Sequence, residues 1–299
     1  MRAAVIGIGS NSLRLLVADI NNGIQTAVLR ERIGLRVFAS LNRKREIDGD
    51  MIDRACEAVA SMKRTAEKHG AQTVLLFATS AVRDAANKAA FKDALKSKTG
   101  LDLDICSGET EAMLSFIGAA GNGSAGMIDI GGGSTEIVIG DHREIGFSCS
   151  LQAGAVRLFR EVPIRCTADI LKVTDAVNEL LLPYLDRMKQ QKTPGEWLGV
   201  GGTLTAAAAC IQDIRWDSRT GIHGFIAKRE DIRRVTQALA EMPAQHRAAL
   251  GSIPPDRADI IVHGMAILLA CMETLMINEI KVSEYTNLDG YLRRITAGG

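Results

Sequence analysis

One short segment combines glycines, hydroxyls and a carboxylate in the order that a phosphate site requires. It follows an apolar run typical of a strand, so its backbone amides could converge on an anion. Asp129 ends that strand, and beside phosphates such a carboxylate serves to hold Mg²⁺, directly or through water. A tight hairpin turn that needs glycine for positive φ would use the same residue types. The loop residues are Gly131, Gly132, Gly133, Ser134 and Thr135.

A second copy of this segment lies near the N-terminus. Residues 5–19 align without a gap to residues 127–141 at a constant offset of 122, as from Gly9 to Gly131. Each copy predicts an apolar strand, a loop of glycine and polar residues, and a second apolar strand, which is the pattern of a β-hairpin. The duplication favours phosphate binding over a simple turn. The first loop consists of Gly9, Ser10, Asn11 and Ser12.

Two arginines lie where a cation is unfavourable for a helix. Arg83 falls in the first turn of a predicted helix whose cap is Thr79 or Ser80. The helix dipole prefers acids there, so an arginine beside free amides indicates an anion site. Pairing with the neighbouring Asp84 is the alternative. Arg157, shortly after a glycine, repeats the arrangement more weakly.

One acid and one glycine pair leave structural and functional uses open. Ser107 is a predicted N-cap, which puts Glu111 in a first turn where carboxylates already suit the helix dipole. A glutamate that faced a cleft from this helix could instead activate a water molecule. Gly201 and Gly202 link a strand to a helix of small residues, without the spacing of a dinucleotide fingerprint. This turn would either approach a phosphate or allow close packing.

Strand and helix patterns alternate along the chain and predict an α/β fold. Helical spacing predicts helices over residues 49–69, 80–100 and about 168–191, the second ending at its glycine. Apolar runs predict strands over 73–79 and 101–107. These elements would carry the loops and the charged residues at their ends.

The glycine-rich break at residues 121–126 is the expected boundary between two halves. The expected domains are therefore residues 1–121, with the first loop, and residues 122–299, with the second. Each half opens with one copy of the hairpin, which is the pattern of a duplicated domain.

Composition limits the class of protein. The chain has 299 residues, 46% hydrophobic and 24% charged, with a net charge of +1, so no global field favours DNA or a membrane. Six scattered cysteines without metal-site spacing are typical of buried thiols in a reducing compartment. The N-terminus lacks the apolar region of a signal peptide, and the longest apolar run is too short for a bilayer. We expect a cytoplasmic protein.

In their order, these motifs resemble the exopolyphosphatase/guanosine pentaphosphate phosphohydrolase (Ppx/GppA) family over nearly the whole chain. The resemblance implies two ribonuclease-H-like domains of the actin-like ATPase (ASKHA) type, with the site in the cleft between them. It also implies magnesium-dependent (Mg²⁺) hydrolysis of the terminal phosphoanhydride bond of polyphosphate, or of the 5′ γ-phosphate of guanosine pentaphosphate (pppGpp). The matching segments are IGIGSNSLRLLV, ATSAVRDAAN, SGETEAMLSFIG, MIDIGGGSTEIVIG, LQAGAVRLFRE, GVGGTLTAAAA and RADIIVHGMAIL.

The resemblance also implies roles. Glu111 would be the general base for water, Arg83 a phosphate ligand, and Asp129 with Glu136 the metal-side carboxylates. Both loops, Arg157 and the Gly201–Gly202 turn would bind phosphate. The expected partner is polyphosphate or a guanosine nucleotide, and a homodimer stays open. The alternatives are a catalytically weak binding protein of the same fold and an actin-like or sugar-kinase-like ATPase.

Three departures from the family pattern bear on activity. Gly7 stands where the family has an aspartate two residues before the loop glycine, so Gly7→Asp is expected to lower the Mg²⁺ requirement. The segment Asn287–Tyr291 lacks an arginine of the family's GLREG-like motif. The chain also stops at Gly299, without the helical extension of longer members, which favours a short or nucleotide-linked substrate.

Overall fold

A computed structural model describes residues 1–21, 24–120, 123–141, 144–218 and 220–297, with side chains of the last helix up to Arg294. The chain divides into two compact units. Unit 1 comprises Met1–Gly118 with Asn287–Gly299, and unit 2 comprises Ala119–Thr286. The predicted boundary at residues 121 and 122 lies outside the described residues. The last helix groups with unit 1, whereas the sequence suggested that it belongs to the second half.

Unit 1 is built on a five-stranded sheet with the order β3-β2-β1-β4-β5. Strand β1 pairs antiparallel with β2 and parallel with β4, so the first predicted hairpin is confirmed. The strands are β1 (Arg2–Ile8), β2 (Ser12–Asn21), β3 (Ile24–Gly34), β4 (Thr73–Ala78) and β5 (Leu103–Ile105). The helices that precede unit 2 are α1 (Gly49–Lys68), α2 (Ser80–Arg83), α3 (Lys88–Thr99) and α4 (Gly108–Ala119).

The helix predicted over residues 80–100 is two helices, α2 and α3. Between them, the Ala86 amide donates to the Arg45 carbonyl at 2.8 Å. The Asn87 side chain binds the amide and the carbonyl of Ile47 at 2.9 and 2.8 Å. These bonds to a distant loop interrupt the helix. Arg83 is therefore the last residue of a four-residue helix, and α3 ends before Gly100, at φ 73°, as predicted.

Unit 2 is built on a six-stranded sheet with the order β10-β11-β9-β6-β7-β8. Strand β6 pairs antiparallel with β7 and parallel with β9, which repeats the arrangement of unit 1 and confirms the duplication. The strands are β6 (Ala125–Ile130), β7 (Thr135–Gly140), β8 (Ile145–Leu151), β9 (Trp197–Val200), β10 (Ile226–Lys228) and β11 (Glu279–Ser283). The helices are α5 (Ala155–Glu161), α6 (Ile170–Leu181), α7 (Leu185–Lys189), α8 (Gly202–Gln212), α9 (Arg229–Ala240), α10 (Ala244–Ala249) and α11 (Ile261–Thr274).

Two helices of unit 2 show how its core is formed. The helix predicted over 168–191 is interrupted by a 3-10 turn at Leu182–Tyr184, because Pro183 has no amide to continue the helical bonds. Helix α11 is buried from Ile261 to Met272. It packs against α5, which follows Gly154, and against α8, which follows Gly201. None of the helices in the described part of the chain has the length and apolar character needed to cross a bilayer.

The last helix, α12 (Asn287–Ala297), packs on unit 1. The Tyr291 ring stacks on Phe77 of β4, with 4.7 Å between the ring centroids. The Arg293 Nη1 donates to the carbonyl of Ile117 in the last turn of α4 at 2.7 Å. Helix α12 therefore covers the sheet and fixes the end of the helix that carries Glu111.

Candidate functional site

The first loop connects β1 to β2 and is fixed within unit 1. The Gly9 amide donates to the Ser12 carbonyl at 3.1 Å, which closes the turn. The Ser10 hydroxyl lies 2.7 Å from that of Ser80, at the start of α2. The Asn11 carbonyl accepts hydrogen bonds from the two amides that follow β3. The loop is therefore held against the helix that ends at Arg83.

Arg83, which is partly buried, and Glu111, which is buried, form an ion pair. The Arg83 Nη1 donates to Glu111 Oε2 at 2.8 Å and to the Cys106 carbonyl at 3.2 Å. Asp84, the alternative partner, lies farther away, with 3.8 Å from Arg83 Nε to its Oδ1. The cap predicted at Ser107 is confirmed, since its Oγ accepts an amide hydrogen bond of 3.1 Å from the first turn of α4. The fold thus joins two predicted site residues that are distant in sequence.

The second loop connects β6 to β7 and repeats the first. The Gly131 amide donates to the Ser134 carbonyl at 3.0 Å, the counterpart of the Gly9–Ser12 bond. The carbonyls of Gly131 and Gly132 accept hydrogen bonds of 2.8 to 3.0 Å from the amides of residues 155–157. A Cβ on Gly154 would lie 2.4 Å from the backbone of Gly132. Only glycine allows this contact between α5 and the loop.

Arg157 holds the second loop with its side chain. Its Nε donates to the Gly133 carbonyl at 2.8 Å, and its Nη2 donates to Gln152 Oε1 at 2.8 Å. The Thr135 hydroxyl also bonds within unit 2, to the carbonyl of Ala153. These contacts give both side chains a part in shaping the loop. A direct contact of Arg157 with phosphate stays a prediction.

Ser134 differs from Thr135 in that its hydroxyl forms no hydrogen bond with the described residues. Its side-chain oxygen is buried and has no hydrogen-bond partner within the described parts of the chain. A buried hydroxyl without a partner is costly. An oxyanion at the loop would supply the missing acceptor, which agrees with the predicted phosphate site.

Two buried carboxylates lie next to the second loop. Asp129 and Glu136 are direct cross-strand partners on β6 and β7, so their side chains project from the same face of the sheet. The Ser150 hydroxyl donates to Glu136 Oε1 at 2.8 Å. Like charges opposite each other on neighbouring strands are destabilising, and a bound cation would offset that repulsion.

This carboxylate pair fits a magnesium ion better than a closed metal centre. No group of three metal-ligating His, Cys, Asp or Glu residues occurs in the described ranges. Mg²⁺ is usually bound by one or two carboxylates together with waters and substrate phosphates. Asp129 and Glu136 match that donor set.

The turn at Gly201 and Gly202 packs closely against charged side chains. A Cβ on Gly201, at φ 94°, would lie 2.8 Å from Asp129 Oδ1. A Cβ on Gly202 would lie 2.2 Å from the guanidinium carbon of Arg257, a residue that is 7% exposed. Close packing, one of the two predicted uses, therefore explains both glycines. No role was predicted for Arg257, although an arginine four positions before a buried apolar helix could have indicated one.

The chain matches a known protein family over most of its length. The model of the Ppx/GppA phosphatase family matches residues 16–296. The chain belongs to the Ppx/GppA phosphatase family. Exopolyphosphatase 2 of Mycobacterium tuberculosis is 33% identical over 310 aligned positions, which cover 97% of this chain and 97% of the relative. Exopolyphosphatase 1 of Mycobacterium leprae is 28% identical, covering 98% and 89% of the two chains.

Solved structures of the Ppx/GppA family share the fold. An exopolyphosphatase from Cytophaga hutchinsonii superposes with a TM-score of 0.89 at 24% identity and covers 100% of this chain and 98% of its own. The Aquifex aeolicus family member gives a TM-score of 0.83 at 24% identity, with the same coverage. The predicted two-domain, actin-like α/β fold is confirmed.

Two of the three differences from the Ppx/GppA family pattern, Gly7 and the segment Asn287–Tyr291, lie next to each other in unit 1. A Cβ on Gly7 would lie 3.0 Å from Phe77 Cζ and 3.2 Å from Leu288 Cδ1. Leu288 belongs to the segment that lacks the family arginine, and both side chains are buried. An aspartate at position 7 would crowd these apolar side chains, and its carboxyl group would share a sheet face with Arg14, the cross-strand partner of position 7. This geometry argues against the expectation that Gly7→Asp lowers the Mg²⁺ requirement.

Proposed function

We propose that this protein hydrolyses the terminal phosphoanhydride bond of inorganic polyphosphate. Membership of the Ppx/GppA family and the similarity to exopolyphosphatase 2 support the reaction class. The observation that carries the proposal is the direct contact between Arg83 and Glu111. A guanidinium is suited to a phosphoryl oxygen, and a carboxylate beside it can accept a proton from an attacking water.

The reaction needs one base and several donors to the phosphoryl group. Glu111 takes a proton from water, the oxygen of that water attacks the terminal phosphorus, and the bond to the bridging oxygen breaks. Arg83 and the amides of the first loop would donate to the phosphoryl oxygens, where negative charge develops. In unit 2, the Ser134 hydroxyl and the amides of the second loop are further phosphate donors. Asp129 and Glu136 would hold Mg²⁺, which supplies further neutralisation of that charge.

Phosphate release from polyphosphate of defined lengths, pppGpp and ATP, with and without Mg²⁺, tests this function. We expect release from polyphosphate that requires Mg²⁺. Turnover of pppGpp is the finer, family-based part of the proposal. Absence of release from polyphosphate at every length would contradict the function and leave the predicted alternative, a binding protein of the same fold.

The base assignment has its own test. Glu111→Gln should lower kcat by about 10²–10⁴-fold, which is the usual contribution of a general base. The matched control is Glu109→Gln, because Glu109 lies in the same first turn of α4 and is exposed. Near wild-type turnover in Glu111→Gln, or an equal loss in both variants, would refute the assignment.

All six cysteines are free. Four of them are buried, as predicted, whereas Cys166 is exposed and Cys210 is half-buried; the cytoplasmic location stays a proposal. Fractionation of the native host cells would test it.

A further inference from the structure

The ion pair of Arg83 and Glu111 joins two groups that the reaction needs separately. The Arg83 Nη1 that donates to Glu111 Oε2 at 2.8 Å is a natural donor to a phosphoryl oxygen. The Glu111 oxygen that accepts this bond is a natural acceptor for the proton of water. As long as the bond exists, neither atom is fully available for its partner in the reaction.

The surroundings of the pair leave the Glu111 carboxylate dependent on protein groups, and Arg83 is a charged donor to it. Glu111 is 6% exposed, so water contributes little to its charge. The charged or titratable groups nearby on α2, β5, α4 and α12 are Asp84, Asp104, Cys106, Glu109 and Arg294. Burial raises the pKa of the Cys106 thiol to about 12, so it is neutral. Arg294 faces Asp104 at 3.8 Å, and the remaining acids do not stabilise a carboxylate.

We propose that Arg83 is a positioning residue that holds Glu111 and releases it when a terminal phosphoryl group binds. This inference rests on the proposed function. The phosphoryl oxygen takes over Nη1, while the bond from Nη1 to the Cys106 carbonyl keeps the guanidinium in place. Glu111 then loses a charge-assisted hydrogen bond and gains an anionic neighbour.

Both changes make Glu111 a stronger base. An opposite charge within about 4–6 Å lowers the pKa of a carboxyl group by about 1–3 units, and a like charge raises it. The base is therefore weak before the substrate arrives and becomes active beside it. The contact couples substrate recognition to water activation.

Carbon-13 NMR of protein labelled at glutamate Cδ tests the release without turnover. The Glu111 signal is assigned from its absence in Glu111→Gln, and it is titrated with and without tripolyphosphate in the absence of Mg²⁺. We expect tripolyphosphate to raise the Glu111 pKa by about one unit. Glutamate signals outside unit 1 are the internal control. In Arg83→Gln, the pKa without ligand should already be raised.

Two results would overturn the inference. Calorimetry could show that tripolyphosphate binds while the Glu111 titration stays the same, or that it does not bind at all. In either case Arg83 does not exchange Glu111 for phosphate. An unchanged titration of Glu111 in Arg83→Gln would equally refute the positioning role.

Kinetics separates this inference from the proposed function. The acid limb of kcat reports the substrate complex and that of kcat/KM reports the free enzyme. We expect the limb of kcat at the higher pH, and the two limbs should approach each other in Arg83→Gln. Polyphosphate hydrolysis with coincident limbs in the wild type would reject the inference and keep the function. An NMR shift without phosphate release would do the reverse.

Discussion

Gly7→Asp introduces a carboxyl group beside buried apolar side chains and on the same sheet face as Arg14, the cross-strand partner of position 7. Gly7 is buried near the end of β1, and a Cβ there would lie 3.0 Å from Phe77 and 3.2 Å from Leu288. Both neighbours belong to the core cluster of unit 1, together with Tyr291. The new side chain would therefore crowd this cluster, while Arg14 on β2 is the charged residue opposite it.

The cost has two parts. Crowding by the Cβ amounts to about 1–3 kcal/mol, and Gly7→Ala measures this part alone. The carboxyl group also loses its hydration, and pairing with Arg14 would reduce that cost. Its ordinary pKa is about 3.9, so complete neutralisation at pH 7 sets an upper limit of about 4 kcal/mol, at about 1.4 kcal/mol per unit.

The second part gives a pH dependence of known sign. When burial outweighs the charge of Arg14, the pKa of the introduced aspartate is higher in the folded than in the unfolded protein, so the unfolded chain releases the proton first. The extra loss is absent below about pH 3.9 and grows as the pH rises towards the folded-state value. At pH 4 the Asp and Ala variants should be nearly equal in stability, and at pH 7 the Asp variant should be less stable by at most about 4 kcal/mol.

Urea denaturation of wild type, Gly7→Ala and Gly7→Asp at pH 4, 5.5 and 7 measures these differences. Titration calorimetry with Mg²⁺ and tripolyphosphate at pH 5.5 shows whether metal binding changes, and we expect no gain. Equal stability of the two variants at every pH would refute the reasoning. Tighter Mg²⁺ binding by Gly7→Asp would restore the view that position 7 belongs to the metal site.

Three further changes have definite outcomes. Arg83→Ala removes a charged donor from the buried Glu111, so urea denaturation should show a loss of about 1–3 kcal/mol, partly recovered when Glu111→Gln is added. A first-turn surface arginine would show no loss. Gly154→Ala forces a Cβ to 2.4 Å from the second loop, so urea denaturation should show a loss of stability and calorimetry a loss of tripolyphosphate affinity. Gly49→Ala is the control, because a Cβ there has nothing within 4 Å, and it should change neither quantity. Met276 follows α11 at φ 56°, so Met276→Gly should stabilise the protein by about 1 kcal/mol in thermal or urea unfolding.

The two hairpins could be predicted from the sequence because the same segment occurs twice. The ungapped match between residues 5–19 and 127–141 predicted two equal strand–loop–strand units, and the Gly9 and Gly131 amides close both turns in the same way. Residue type and position relative to a strand end were enough, because this structure is local. The buried state of Asp129 beside its loop follows from the same reasoning.

Contacts between segments that are far apart in the chain could not be predicted from the sequence. Arg83 and Glu111 are 28 residues apart and meet only because β4 and β5 are parallel neighbours. The break after α2 depends on Asn87 binding Ile47, 40 residues away. Local propensity cannot encode such bonds, which is why a continuous helix was predicted and why the neighbours of Gly7 were unknown.

The return of the chain to unit 1 affects how the protein is made. The ribosome completes residues 1–118 first, then all of unit 2, and only afterwards α12. Unit 2 is continuous, so it can fold while synthesis proceeds. Unit 1 must wait for Tyr291 to cover Phe77 and for Arg293 to bind the end of α4. A nascent chain released after residue 286 would retain the half that carries Asp129 and Glu136 and present the uncovered sheet of the other half to chaperones and proteases.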